Sequence, residues 1–322
     1  MMRNRTLEAT VTAAREALAS AGAVRGPGAQ ARPRFELFHA AASICSQKVR
    51  GVFAHHGIPY RGHSLNIFAG DTYLPGYVRL RMLGCKSYGG ALVAEHSGST
   101  SAAAGGCDGA VVPTLVDWDE ETVLVDSKRI CIHLDDQVAD VGKLRPAVLA
   151  EAIDRDLDLI DNIPNYQMLM GRSRNAVESA LTRDGVGNAL SMKKVAWCDR
   201  YLGEHTDDAT LLEAYTAKRS KELSAAERLF SPEAMQVASE QIKAVLDDLE
   251  ARLAARPTRW LHGEFPTMAD LFWGIELLRM ENTGAGKAWE AARLPHVANY
   301  AAEARTIPAI GCAVLDWPGA LF

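Results

Sequence analysis

The chain has 322 residues, 48% of them hydrophobic and 23% charged, an ordinary globular composition at a length that exceeds one typical single-core domain, so two domains are expected. A formal net charge of −5 and a pI near 6.0 exclude the basic face of a dedicated nucleic-acid binder.

The six cysteines, Cys45, Cys85, Cys107, Cys131, Cys198 and Cys312, form neither CxxC pairs nor the Cys/His spacing of a structural zinc site. They are expected to be thiols in a reducing compartment, with no metal. No run of eighteen apolar residues occurs, and the N-terminus lacks the charged, apolar and small-residue succession of a secretory signal. The expectation is a cytoplasmic protein with no membrane partner.

Residues 1–33 are rich in Ala, Arg, Gly and Pro, with a helix-compatible stretch over 6–20 and breakers at Gly26, Pro27 and Gly28. They are expected to form an extension outside the catalytic fold; Glu8 and Glu16 argue against a transit peptide. Residues 34–39 alternate as a strand, with Phe35, Leu37 and His39 on one face. Cys45, Val49, Val52 and Phe53 then recur at helical spacing, which places Ser43, Cys45 and Ser46 at the start of a helix. Residues 60–68 alternate again, giving strand, helix, strand. Residues 69–110 are punctuated by many glycines and read as an irregular insertion that covers or lines the active site.

Residues 111–117 and 122–125 predict a hairpin, with Pro113 at a strand start or on an edge because proline cannot donate to the ladder. Asp126 and Ser127 cap a helix running to about 136. Beyond Pro146 only helical periods remain, over 146–171, 208–230, 232–256, 267–282 and 289–305. Between the first two lies a polar stretch, 171–207, with Gly185, Gly187 and Trp197, the last a candidate to reach a substrate pocket. The division is an extension (1–33), a thioredoxin-like α/β domain (34–140) with an insertion over 69–110, an all-helical domain (146–310), and a tail (311–322).

Three motifs in this order carry a resemblance. The first is Ser43-Ile44-Cys45-Ser46-Gln47-Lys48-Val49-Arg50. The second is Val111-Val112-Pro113-Thr114-Leu115, followed after the hairpin by Asp126-Ser127-Lys128-Arg129-Ile130. The third is Trp260-Leu261-His262-Gly263 leading to Thr267-Met268-Ala269-Asp270-Leu271. Together with the layout they resemble the glutathione transferase superfamily over residues 34–310, which implies a thioredoxin-like domain followed by an all-helical one, glutathione as co-substrate, and a homodimer. Within the superfamily, Ser-x-Cys-Ser followed by a basic residue, Val and Arg is similar to zeta-like isomerases and to bacterial reductive dehalogenases of chlorinated hydroquinones. The run 34–50, the insertion and the N-terminal arm are closer to the dichlorohydroquinone dehalogenases.

A thiol at a helix N-terminus meets unpaired N–H groups and the positive end of the dipole, which favour thiolate. That suits Cys45 as nucleophile or as a donor to glutathione thiolate; position alone leaves open a small buried hydrophobe. Ser43 and Ser46 are candidates to touch the glutathione sulfur or to serve as N-caps. By resemblance, Pro113 is a cis-proline that leaves the Val112 backbone to pair with the cysteinyl part of glutathione. Asp126 and Ser127 likewise stand where the family holds the γ-glutamyl group at a helix start, with Asp in place of the commoner Glu. Thr267 and Asp270 read as a structural capping box.

The implied reaction is reductive dehalogenation of a chlorinated hydroquinone, in which Cys45 attacks the thioether sulfur of a glutathionyl ring to give a mixed disulfide. Cleavage of β-aryl ethers, cis–trans isomerisation of a dienoate, and a non-enzymatic binding protein are the alternatives. His55, His56 and His63 read as solvated surface residues. Asp154, Asp156, Asp158 and Asp161 read as a solvated helix face. Tyr166, Met168, Leu169 and Met170 are read as candidates for the pocket wall or for the core.

Overall fold

The structure is a computed structural model that describes residues 5–28, 32–171, 186–290 and 293–321. Its N-terminal half runs α1 (Arg5–Ala17), β1 (Ala23–Arg25), β2 (Phe35–His39), α2 (Ile44–His56), β3 (Tyr60–Ser64), α3 (Pro75–Tyr88), α4 (Ala102–Gly105), β4 (Thr114–Asp117), β5 (Thr122–Val125) and α5 (Ser127–Asp135). The sheet order is β1-β3-β2-β4-β5. β2 and β3 are parallel, with Phe35 opposite Tyr60, and the other neighbours are antiparallel.

All five residues of β2 are buried because both faces of this central strand are covered. Phe35 and Leu37 enter the core formed with α2, α5 and the helical half, whereas Phe38 enters a second core with Leu7, Val11, Tyr77, Leu80 and Val116. Successive side chains of a strand point to opposite faces, so one strand feeds both layers.

The N-terminal extension, expected outside the fold, and the C-terminal tail are both built into it. α1 packs along α3, Arg15 pairs with buried Glu36, and β1 adds an edge strand against β3. At the other end, Arg50 donates to the carbonyls of Ala313 (2.8 Å) and Ala40 (3.0 Å). Its guanidinium and that of Arg25 each lie over the Trp317 ring, at 4.3 and 4.2 Å. The carbonyl of Ala320 accepts from Gln47 at 2.8 Å, so the last residues clamp α2.

The stretch 69–110 is also more regular than its glycines suggest, since it contains the fourteen-residue α3. Pro75 opens that helix where a missing N–H costs nothing. Gly76 and Gly84 serve packing: a Cβ on Gly76 would stand 2.5 Å from the Ala13 carbonyl oxygen, and one on Gly84 would stand 2.6 Å from Val125. These glycines let α3 lie close to α1 and β5.

The C-terminal half is helical: α6 (Ala150–Asp161), α7 (Asn165–Met170), α8 (Val186–Glu204), α9 (Ala209–Arg228), α10 (Pro232–Ala255), α11 (Met268–Asn282), α12 (Lys287–Glu290), α13 (Pro295–Ala304) and α14 (Pro308–Ile310). Much of the stretch read as polar connection is therefore α8, paired along α9; Gly185 lies outside the described residues. α11 is buried along Met268–Met280 and packs on α2, α6 and α13. Asp270 anchors its start, accepting from Thr267 N and Oγ1 (both 2.8 Å), Leu261 N (3.0 Å) and the Tyr300 hydroxyl (2.6 Å). Among the described residues, no helix is long and apolar enough to cross a membrane.

Three solvated readings are corrected. His63 is buried, stacked on Phe38 and bonded to Glu36 at 3.1 Å. Asp156 is buried and bonded to Arg252, His262 and Trp273. Asp161 is buried against Lys48. Charge in a sequence suggests solvent, but each of these groups has its partner far away in sequence.

Candidate active site

α2 begins at Ser43, whose extended backbone and side chain cap the helix, its Oγ accepting from Ser46 N at 3.3 Å. That bond uses a lone pair and not the hydroxyl proton. Cys45 follows on the first turn, half-buried. Ser46 turns the other way: it is fully buried, and its Oγ accepts from Ala40 N at 3.2 Å, so it ties β2 to α2 and does not line the cavity.

Opposite α2, the Val112–Pro113 peptide is cis. The backbone around it is held by the Tyr77 hydroxyl, which donates to the Val111 carbonyl at 2.6 Å, and by the buried Arg81 guanidinium, which donates to the carbonyls of Pro113 and Asp108. Asp126 caps α5 from a left-handed backbone (φ 75°), its Oδ1 accepting from Arg129 N at 3.0 Å, and Ser127 is the first helical residue. Ser43, Cys45, Val112, Pro113, Asp126 and Ser127 line one cavity of about 260 Å³.

Burial raises the pKa of Cys45 above the ordinary thiol value, against the opposing pull of the Lys48 charge and of the nearby Ser127 hydroxyl. The helix start by itself predicts the opposite direction; desolvation outweighs it. Burial raises the Asp126 carboxyl as well, against its bond from Arg129 N. Below Cys45 the fully buried Lys48 ammonium donates to Asp161 Oδ1 on α6 at 2.7 Å and lies 4.8 Å from the Phe272 ring centroid. Glu276, on α11, is also fully buried and accepts from Asn165 at 3.2 Å. Burial pushes its carboxyl up to about 7 despite the Lys48 charge.

The far side of the cavity was not foreseen. Lys194 on α8, Lys218, Lys221 and Glu222 on α9, and Asp108 and His96 between α3 and β4 all line it. Tyr166, a candidate from sequence, lines it too, as do Leu169 and Met170, whereas Met168 is core. Trp197 packs against Tyr73 at 5.0 Å, outside the cavity wall. The available signal was Lys218, Lys221 and Glu222 at helical spacing, a pattern equally suited to a solvated face.

Residues 42–137 match the family model described as glutathione S-transferase, N-terminal domain, and residues 225–303 the model described as glutathione S-transferase, C-terminal domain. Over 294 residues the chain is 34% identical to the 2,5-dichlorohydroquinone reductive dechlorinases of two Sphingobium indicum strains, an alignment that covers 90% of this chain and 85% of each relative. The chain belongs to the glutathione S-transferase family. Glutathione is the co-substrate of that family. Solved structures agree with this transferase in fold. Poplar glutathione transferase F1, in a mutant form, superposes with a TM-score of 0.54 at 15% identity, covering 89% of this chain and 98% of that one. A bacterial maleyl pyruvate isomerase of the zeta class gives 0.51 at 14%, covering 89% and 100%.

Proposed function

We propose that the chain catalyses glutathione-dependent reductive dechlorination of a chlorinated hydroquinone. The observation that carries this reading is the half-buried Cys45 at the start of α2, one turn ahead of the buried Lys48, in one cavity with Ser43, Ser127 and the Val112–Pro113 edge. The likeness to two enzymes named for that reaction supports it. For isomerisation there is a likeness in fold alone, at 14% identity.

In this reading the α5 start receives the γ-glutamyl carboxylate through the Ser127 hydroxyl and backbone N–H groups. The backbone beside the cis-proline pairs with the cysteinyl unit. The glutathione sulfur then lies at the α2 start, where the Ser43 hydroxyl can donate to it.

The ring first takes its dienone form, a hydroxyl proton being lost and a ring carbon protonated. Glutathione thiolate adds at the chlorinated carbon, chloride leaves with its electron pair, and a glutathionyl hydroquinone results. Cys45 thiolate then attacks the thioether sulfur of the protonated ring tautomer. A Cys45–glutathione disulfide forms, the ring-carbon–sulfur bond breaks, and its electron pair stays on the ring, which is thereby reduced and keeps the added proton. A second glutathione thiolate displaces Cys45 and yields glutathione disulfide. In sum, one aryl chloride and two glutathiones give the dechlorinated ring, glutathione disulfide and hydrogen chloride.

The test is mass spectrometry of wild type and Cys45→Ser after incubation with dichlorohydroquinone and glutathione, together with chloride release. The expected result is a Cys45–glutathione adduct and dechlorinated ring in the wild type, and accumulation of glutathionyl hydroquinone in the variant. Absence of both chloride and adduct sinks the reading.

A further inference from the structure

The cavity wall opposite Cys45 carries three lysine ammoniums, Lys194, Lys218 and Lys221, against two carboxylates, Asp108 and Glu222. Lys218 is satisfied: it bridges Asp108 and Glu222, at 2.8 Å to each. Lys194 reaches Glu222 at 3.3 Å and donates to the Tyr166 hydroxyl at 2.9 Å. Lys221 has a single carboxylate contact, 2.9 Å to the Asp108 oxygen that Lys218 already holds. Two ammoniums share one oxygen, so this wall holds one positive charge in excess. His96 does not change the count, since burial and the nearby Lys221 keep its ring well below the usual histidine range and therefore neutral.

An ammonium withdrawn from water with half a partner is costly, and an anion brought into the cavity offsets that cost. The stacked pair of His96 and Tyr166 rings, 4.3 Å between centroids, lies beside the same charges, so a flat ring suits this wall better than a small inorganic anion does.

We propose that Lys221 and Lys194 form the binding site for a ring hydroxyl of the aromatic substrate, taken in its ionised, phenolate form. This rests on the aromatic-substrate reading above and adds to it that the substrate class must carry an ionisable ring hydroxyl. The hydroxyl proton leaves to solvent on binding, and the lysines remain protonated. A ring ionised at oxygen is the species that accepts a proton on carbon to reach the dienone, so the lysines favour the tautomer that glutathione attacks. The pKa of Lys221 is lowered by burial and by Lys218, which agrees with a cation short of counter-charge.

The test needs neither glutathione nor turnover. The full-length protein is titrated with 4-nitrophenol across a pH series and bound phenolate is read by its absorbance; 4-nitroanisole, the same ring without the ionisable proton, is the competitor. The expected result is a bound pKa lowered by about one unit, a tenfold preference for the anion, with 4-nitroanisole competing at least about tenfold more weakly. Lys221→Met should remove most of the shift and Lys221→Arg should retain it. Where Lys221→Met melts early, Lys194→Gln is expected to show the same direction. The proposal is overturned if 4-nitrophenol does not bind, if it titrates as in free solution, or if both lysine variants leave the shift unchanged. Loss of chloride release with a normal nitrophenol shift indicts the dechlorination reading instead.

Discussion

Lys48 Nζ donates to Asp161 Oδ1 at 2.7 Å with both side chains buried, and so joins the helix that carries Cys45 to the first long helix of the C-terminal half. Removing one partner strands a charge in the interior. We expect Lys48→Met to cost about 3–5 kcal/mol of stability, and Lys48→Met with Asp161→Leu to recover most of it. Urea unfolding of the two variants checks this; equal loss in both would mean that the pair contributes through packing rather than charge.

Cys45 should titrate above an ordinary thiol, because its burial outweighs the Lys48 charge and the nearby Ser127 hydroxyl. The pH profile of its alkylation by iodoacetamide, followed on the Cys45 peptide so that exposed Cys312 does not interfere, is expected to have a raised midpoint. Ser127→Ala should raise it further. A midpoint below the ordinary cysteine value of about 8.5 would show that the helix start dominates instead.

The strands and the order of an α/β half before a helical half were legible because β2, β4 and β5 obey a local period, and the capping residues Ser43, Asp126 and Asp270 act within three residues of themselves. What was hidden depends on distant partners. Asp161 looks like any solvated acid until Lys48, 113 residues away, is brought to it, and Lys218 and Lys221 acquire meaning only through Asp108, at separations of 110 and 113. α3 was obscured for a related reason: Gly76 and Gly84 break a helical pattern locally, yet what makes them fit is a neighbour elsewhere in the chain. Ser46 shows the converse, a motif position that fits a ligand by resemblance but spends its hydroxyl on the fold.

Asp156 gives a prediction for acid. Burial disfavours its charged form, but bonds from His262 and Arg252 win, and the carboxyl is held down to about 2. The unfolded value is about 3.9, so this group contributes stability that is fully present above about pH 5 and is lost as pH falls through 4 toward 2. The amount is about 2–3 kcal/mol. Asp156→Asn should be less stable than wild type at pH 7, with the gap closing toward pH 2; thermal melts across that range decide it. A gap independent of pH would assign the cost to packing alone.

Gly76→Ala tests the docking of the N-terminal arm. The new methyl stands 2.5 Å from the Ala13 carbonyl oxygen, a backbone atom that moves only with α1. Overpacking of this kind costs about 1–3 kcal/mol and exceeds the gain of up to about 1 kcal/mol from replacing a helical glycine. Gly203→Ala, in α8 with nothing within 4 Å of the added carbon, should show that gain alone. The pair is read by urea midpoints and by proteolysis at 17–28; a stabilised Gly76→Ala would mean that α1 does not hold its place on α3.

Glu276 should make the helical half less stable as pH rises. Burial lifts its carboxyl to about 7 from an unfolded value of about 4.3. The folded state therefore binds the proton more tightly than the unfolded chain. No penalty exists below about pH 4; it grows as the unfolded chain ionises and levels off above pH 7 at about 3–4 kcal/mol. Glutamine keeps the shape and still accepts from Asn165 but does not titrate, so Glu276→Gln should gain on wild type steadily between pH 5 and pH 7.5. Parallel stability curves over that interval would show that Lys48, which already favours the carboxylate, compensates its burial in full, and Glu276 would then be a second counter-charge under Cys45 alongside Asp161.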